Sequence, residues 1–160
     1  MRRKDREITE TDEILAVIGK SKIMHLGLFD DGYPYIVPLH FGFEYTDGRP
    51  VFYVHCAKEG HKLDLIRRNP HVCVETECDV KLLSGGEDPC SYSSEYASFI
   101  GHGEAEILRE PEQKIRGLSC LMRHQTGREF AFTEQMAAAA AVVRITVSEY
   151  SAKARRPKPV

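Results

Sequence analysis

The apolar positions near the start of the chain recur at the spacing of a helix. These positions are Ile14, Leu15, Val17 and Ile18. They follow residues 9–12, a polar and acidic segment of the kind that opens helices. We expect this first helix to end near Lys20, because the pattern becomes strand-like from Lys22 onward.

Six strand-like segments account for most of the remaining apolar residues. They cover residues 22–29, 33–45, 49–56, 71–77, 96–108 and a last stretch from about Ala140. Asp-Gly turns at 30–32 and 46–48 join the first three into an antiparallel meander. Further helices are expected at 61–68, at 111–127 and briefly before Ala138. The prediction is a mainly β (α+β) fold, a six-stranded antiparallel barrel, closed or split, with two or three peripheral helices.

A proline interrupts the second predicted strand. Pro38 cannot donate a hydrogen bond to a sheet, so it marks either an edge strand or a local break. A break would leave backbone groups of residues 33–41 free to meet a ligand beside aromatic and aliphatic side chains. That composition favours a flat heteroaromatic ring, and an ordinary hairpin with an edge proline is the alternative.

Length and charge point to a single soluble domain. The chain has 160 residues and a net charge of −2, and no apolar run is long enough to cross a membrane. Basic side chains concentrate in residues 1–7 and 153–160, whereas the body between them is acidic. We expect one domain over 1–152 and a basic C-terminal tail, 153–160. The expected location is the cytoplasm, with neither a membrane nor a nucleic acid as partner.

Patterns of metal ligands and of catalytic nucleophiles are missing from the sequence. The five cysteines form no CxxC pair, and the seven histidines show neither HxxxH nor HExxH spacing. There is no GxSxG elbow and no phosphate-binding P-loop. We therefore expect reduced thiols, no bound metal and no covalent nucleophile.

The segment 55–66, HCAKEGHKLDLI, carries the clearest chemical signal. A strand ends here, Gly60 permits a turn, and a helix begins at His61 and Lys62. Helix N-termini bind anions through free N–H groups, and a lysine adds a full positive charge. The pattern favours a phosphate site, with a plain surface turn as the alternative.

Five segments occur in an order that is typical of one family. They are MRRKDREIT, DDGYPYIVPLHF, VHCAKEGHKLDLIRRNP, YASFIGHGEAEIL and the helix that follows. In them the chain resembles the pyridoxamine 5′-phosphate oxidase-like, FMN-binding split-barrel proteins, and among these the nitroimidazole-resistance (Nim-type) branch. The resemblance extends over nearly the whole chain. It implies a split barrel that forms a homodimer, with two FMN molecules at the subunit interface.

The resemblance also implies which residues border the flavin ring. The backbone around Val37, Pro38 and Leu39 would lie along the edge of the ring. His55 and Ala57 would lie beside it on the third predicted strand. Since imidazole can donate a proton near neutral pH, His55 is the candidate catalytic residue.

The remaining implied contacts concern the phosphate and the second subunit. Lys62, with the start of its helix and with His61, would hold the FMN phosphate. Ser98 and Ile100 would reach the flavin from the partner subunit. The phosphate site found in the sequence pattern and the ring site near Pro38 would then be two ends of one bound molecule.

The implied activity is that of an FMN-dependent oxidoreductase reducing a small electron-poor substrate such as a nitroimidazole or another nitroaromatic. One alternative is a non-catalytic FMN-binding or storage module. Another is a related split barrel that holds a deazaflavin or haem, with His40, His55 or His61 as the axial ligand. Longer members of the family end in an arginine-containing segment that grips the substrate phosphate. That segment has no match here, so oxidation of pyridoxamine phosphate is not expected.

Overall fold

A computed structural model describes residues 3–156, which form eight strands and four α-helices. The strands are β1 (Glu7–Ile8), β2 (Ile23–Asp30), β3 (Tyr33–His40), β4 (Gly42–Thr46), β5 (Arg49–Cys56), β6 (His71–Leu83), β7 (Ser93–Ile107) and β8 (Ala141–Arg155). The helices are α1 (Thr11–Lys20), α2 (His61–Arg68), α3 (Pro111–Thr126) and α4 (Glu134–Ala138).

The strands form one antiparallel sheet in the order β3-β2-β6-β7-β8-β5-β4, with β1 added beside β8. Asp31 and Gly32 both have positive φ, as the two-residue turn between β2 and β3 requires. The sheet curls until β3 approaches β5. This arrangement confirms the predicted fold class, a mainly β split barrel with peripheral helices.

The predicted count of six strands was too low, chiefly because the second predicted strand divides at Phe41. This residue is fully buried and separates β3 from β4. At Gly42 the backbone lies against α3, where an added Cβ would stand 2.4 Å from the Cα of Leu121. The division is imposed by a helix some 80 positions away along the chain. Strand β1 likewise forms only because it pairs with β8. Neither the break at Phe41 nor strand β1 is marked by a local pattern of apolar and polar residues.

Two further boundaries differ from the prediction. β6 continues to Leu83 and β7 begins at Ser93, so that the predicted loop 79–91 is partly strand. β8 continues to Arg155, and the start of the predicted tail 153–160 is therefore part of the sheet. Residues 157–160 lie outside the described residues. In residues 153–155, pairing with β1 and β7 supplies the backbone hydrogen bonds, although Lys153 and Arg155 are charged.

Two clusters of apolar side chains hold the layers together. The larger fills the barrel interior around Phe41, Phe52 and Phe99. The smaller lies on the outer side of β5 and β8, where Tyr53 and Val142 pack under α3 and α4. The helix count is four rather than two or three, and α4 is the short helix expected before Ala138, with five residues. Among residues 3–156, no helix is both long and apolar enough to span a membrane.

Candidate functional site

The barrel is open where β3 and β5 approach each other without pairing. β3 pairs with β2 along its whole length and has no strand on its other edge within the described chain. β4 stops pairing with β5 at Gly42 and Tyr53, whereas β5 continues along β8 as far as Cys56. Residues 54–56 of β5 therefore present a free backbone edge toward β3. We call the gap between these two edges the split.

The C-terminal turn of α3 holds the end of the split where β3 leaves β4. The side chain of Gln125 bonds to the backbone oxygens of Phe41, at the junction of β3 and β4, and of Lys22, just before β2. The Nε2 atom of His124 donates to the backbone oxygen of Ser21 at 2.8 Å. One helix thus ties the entrance of β2 to the point where β3 leaves β4.

Pro38 lies on the edge strand β3, opposite His25 of β2. The ladder runs through the proline without a break, so the structure decides for the edge-strand alternative. Val37 and Leu39 turn inward and pack against the barrel core, while Pro38 is exposed on the outer face. The free edge of β3 thus offers backbone groups to the split beside two half-buried apolar side chains.

The first turn of α2 presents unpaired backbone donors. Gly60 precedes the helix with a φ of 141°, a conformation that favours glycine, and no side chain caps the helix. The carbonyl of Gly60 accepts bonds from the amides of Leu63 and Asp64. The amides of His61 and Lys62 have no such acceptor, as is usual for the first turn of a helix. This end of α2 is therefore suited to an anion.

Lys62 is half-buried beside Cys56, the last residue of β5. Burial raises the pKa of the Cys56 thiol, and the positive charge of Lys62 acts in the opposite direction. Lys62 forms no ion pair with any residue in 3–156, in contrast to Arg67 and Arg68 on the same helix. Its ammonium group is thus a cation near the split without an acidic partner.

His61 is engaged by groups from the β2–β3 hairpin. Its Nε2 atom donates to Oδ2 of Asp30 at 2.7 Å, and the ring of Tyr35 meets it edge-on with 5.1 Å between centroids. Arg68, two turns later, pairs with Asp31 of the same turn. The imidazole is therefore oriented by Asp30, and the backbone amide of His61 is the group left free for an anion.

His55 and Ala57 lie at the end of β5. The backbone of His55 pairs with Val142 of β8, and its side chain is exposed beyond the small apolar cluster. Ala57 follows the strand and is exposed as well. Both are within a few residues of Lys62 along the chain and close to the free edge of β5, so the structure gathers them at the same end of the split.

Ser98 and Ile100 are not part of that group within one chain. They lie on β7, on the outer face of the sheet, where Ile100 is opposite Glu75 and Ser98 is opposite Glu77. Two strands, β6 and β2, separate them from Pro38 on β3. At a strand spacing of about 4.8 Å this is a separation of about 14 Å. Within one chain these two residues therefore lie away from the split.

The same outer face carries a cavity of about 880 Å³. Its walls come from β2, β3, β6, β7 and the middle of β8. None of the residues that the resemblance assigns to the flavin lines it, although Tyr33, Pro34 and Ile36 of the stretch 33–41 do. Phe29 and Ile36 are 65% and 60% exposed on its rim. Three histidines and three glutamates also line it: His25, His71, His102, Glu75, Glu104 and Glu149.

Sequence reasoning missed several groups that the fold adds to the site. Tyr35 and Asp30 reach His61 from a different hairpin, and the charge of Lys62 acts on the Cys56 thiol. Gln125 comes from α3, more than 80 positions from its acceptor. The contacts of Tyr35, Asp30 and Gln125 have no local signal in the sequence, because each joins residues that are far apart along the chain.

Comparison with known proteins gives the family. A family profile described as pyridoxamine 5′-phosphate oxidase matches residues 10–154. No curated protein matches the chain at a significant level. Among solved structures, a protein from Bacteroides thetaiotaomicron assigned to 5-nitroimidazole antibiotic resistance is 29% identical, with a TM-score of 0.79. The match covers 92% of this chain and 86% of that one.

Two more distant structures share the fold. A flavocytochrome from Azotobacter vinelandii is 18% identical with a TM-score of 0.78, and the match covers 100% of this chain and 74% of that one. An FAD- and haem-binding protein from Mycobacterium smegmatis is 17% identical with a TM-score of 0.78, over 97% of this chain and 76% of that one. The motif-based resemblance is thereby confirmed, and the chain belongs to the pyridoxamine 5′-phosphate oxidase family.

Proposed function

We propose that this chain binds FMN in the split and, as a homodimer, reduces small electron-poor substrates such as nitroimidazoles. The observation that carries the proposal is the uncapped start of α2 with Lys62 at the end of the split. Family membership and the similarity to the nitroimidazole-resistance protein of Bacteroides thetaiotaomicron support the same function.

The phosphate of FMN fits the first turn of α2. The free amides of His61 and Lys62 supply N–H donors, and the unpaired ammonium of Lys62 supplies charge. The His61 ring donates a hydrogen bond to Oδ2 of Asp30 at 2.7 Å. This contact limits the conformations of His61, whose backbone amide would bind the phosphate.

The ring of the flavin fits between the two free strand edges. The edge of β3 around residues 37–39 offers backbone groups on one side, and the end of β5 with His55 and Ala57 lies on the other. The half-buried side chains of Val37 and Leu39 give the site an apolar floor. Such a combination of apolar walls and few polar groups is usual for cofactor sites.

A second copy of the chain completes the proposed site. Ser98 and Ile100 cannot reach the split of their own chain, and the outer face that carries them also exposes Phe29 and Ile36. Covering these apolar side chains on dimer formation is favourable. The homodimer therefore places the outer face of one subunit over the split of the other.

Bound flavin would supply the two-electron chemistry, and the chain's own residues would position substrate and protons. His55 is exposed at the end of β5, so its imidazole can meet a substrate that lies over the ring. Its proposed role is to donate a proton, or a hydrogen bond, to an anionic group of the substrate.

An FMN titration of purified protein tests the cofactor proposal. Lys62→Ala is expected to weaken binding by about 1.5–3 kcal/mol, roughly 10- to 150-fold in Kd, because a charge-assisted contact is lost. Arg67→Ala is the matched control, since it removes one positive charge from the C-terminal end of the same helix. Protein that stays colourless in excess FMN, or a Lys62→Ala variant with unchanged affinity, would contradict the proposal.

Anaerobic mixing of the reduced holoprotein with a nitroimidazole tests the activity. Reoxidation that accelerates with substrate concentration supports an oxidoreductase. Flavin that binds but is not reoxidised by any nitro compound identifies a storage module instead. A Soret band in the purified protein indicates haem, and a deazaflavin spectrum identifies the remaining alternative. One absorption spectrum therefore separates the three candidate cofactors.

A further inference from the structure

Three potential metal ligands meet on the outer face of the sheet. His25 of β2 stands directly opposite Glu75 of β6, and Glu77 follows two residues later on the same face. The Nδ1 atom of His25 lies 3.1 Å from Oε2 of Glu75 and 4.0 Å from Oε2 of Glu77. One ligand atom from each residue falls within 4.8 Å of the other two.

These distances match what a small divalent ion requires. Bonds of about 2.0–2.1 Å in a tetrahedral site place neighbouring ligand atoms about 3.3–3.4 Å apart. The observed separations of 3.1 and 4.0 Å bracket that value. An ion can therefore be accommodated by small rotations of the two glutamate side chains, without movement of the strands.

The charge balance of the cluster also favours a cation. Two carboxylates share a single imidazole, and no lysine or arginine pairs with either glutamate in the part of the chain that the structure describes. A divalent ion would neutralise the two carboxylates that now repel each other.

The three ligand atoms indicate which kind of metal ion the site would bind. One imidazole nitrogen with two carboxylate oxygens is typical of zinc and similar first-row ions, and three protein ligands leave a coordination position open. His25 and Glu75 also line the cavity of about 880 Å³. That open position can thus be filled by a water molecule or a small anion from the cavity.

The ligands are held by rigid elements. β2 and β6 are paired through residues 25–27 and 73–75, and Thr76, next to two of the ligands, donates to the backbone oxygen of Ile23 at 2.7 Å. The expectation of no metal rested on sequence spacing, which cannot show ligands 50 residues apart that meet across two strands.

We propose that His25, Glu75 and Glu77 form a zinc-type divalent metal site on the outer face of the sheet. The site lies wholly within one chain and uses none of the residues assigned to the flavin. Its cross-strand neighbours on that face include Ile100, opposite Glu75, and Ser98, opposite Glu77. Zinc binding is therefore tested on the FMN-free protein, where its outcome does not depend on the proposed flavin contacts.

Calorimetric titration of the purified, chelator-treated protein with ZnCl₂ tests the site, with metal content after dialysis as a second measurement. We expect one zinc ion per chain, and at least a tenfold loss of affinity in Glu75→Gln and in Glu77→Gln. Both substitutions keep the size of the side chain, and circular dichroism will verify that the variants fold.

Two matched variants distinguish this site from other ligands in the cavity. Glu104→Gln removes an exposed carboxylate on the same face, 4.0 Å from His71, and Cys73→Ser removes the thiol that lines the cavity. Both are expected to bind zinc as tightly as the unmodified chain. The proposal is overturned if no zinc binds, if the Glu75 and Glu77 variants retain full affinity, or if either matched variant abolishes binding.

Discussion

The side-chain amide of Gln125 donates to the backbone oxygen of Phe41 at 2.7 Å. Phe41 is the one residue between β3 and β4, and its carbonyl has no ladder partner at that position. The same amide also reaches the oxygen of Lys22 at 3.1 Å. A single glutamine thus satisfies two backbone acceptors at the point where the split begins.

Replacing this glutamine is expected to destabilise the fold. Gln125→Ala leaves the carbonyl of the buried Phe41 without its donor, at a cost of about 1–3 kcal/mol. The measurement is the midpoint of urea unfolding. Gln113→Ala, an exposed change on the same helix, should shift stability by less than about 0.5 kcal/mol. Equal shifts in the two variants would show that the Phe41 contact contributes nothing.

Two glycines should respond in opposite directions to the same substitution. Gly42→Ala places a Cβ 2.4 Å from the backbone of Leu121, and forcing the strand and helix apart should destabilise by about 1–3 kcal/mol or more. Gly19→Ala, inside α1, meets nothing closer than 3.8 Å and should be neutral or stabilising by up to about 1 kcal/mol. Thermal melts of both variants check the prediction, which a stable Gly42→Ala protein would contradict.

Acid should weaken the contact between α3 and the entrance of β2. His124 is half-buried, 4.7 Å from the ring of Phe41, and burial lowers its pKa below the ordinary value of 6.5. The hydrogen bond to Ser21 counteracts this shift, and the charge of Lys22 adds to it. The folded chain therefore takes up this proton at lower pH than the unfolded chain does.

The contribution of neutral His124 to the free energy of unfolding is fully present above pH 6.5. It is lost as the pH falls from there toward the pKa of His124 in the folded chain. Urea unfolding at several values between pH 7.5 and 5 will measure the slope. His124→Gln keeps a side-chain donor but cannot titrate, so its stability should depend less steeply on pH. Identical slopes in the two proteins would exclude His124 as the origin.

The catalytic role of His55 rests on the proposed flavin chemistry. His55→Asn should bind FMN as tightly as the unmodified chain, since the phosphate contacts are at α2. Its kcat for nitroimidazole reduction should fall about 100-fold or more, as general acids usually contribute that much. Gln113→Ala, an exposed change on α3 outside the split and the cavity, should retain full activity. A His55→Asn enzyme with unchanged kcat assigns His55 a structural role.

Local features of the site could be predicted from the sequence, and non-local ones could not. The Asp-Gly turns and the start of α2 follow from residues within a few positions of one another. At Pro38 the sequence left an edge strand and a local break open, and the order of the sheet decides between them. The break at Phe41 arises from close packing with α3, and the cluster at His25 arises from pairing between distant strands. No alternation of apolar and polar residues encodes such contacts.

The ends of β6 and β8 show the same limit. Residues 79–82 are exposed and polar or isolated apolar, so no buried face could be recognised in the sequence. Asp79 and Val80 lie in a register shift, yet Lys81 and Leu82 pair with β7. The strand exists because of its partner. The proposed phosphate-binding residues could be recognised from the sequence because Gly60, the helix start and Lys62 are contiguous in the chain.

The hydrogen bonds from α3 to residues 22 and 41 have a mechanical consequence. No strand pairing joins β3 to β5 within the described residues, and the end of β3 where the split begins is held by the last turn of a helix instead. Substitutions in that turn can therefore shift the end of β3 although none of them touches its free edge.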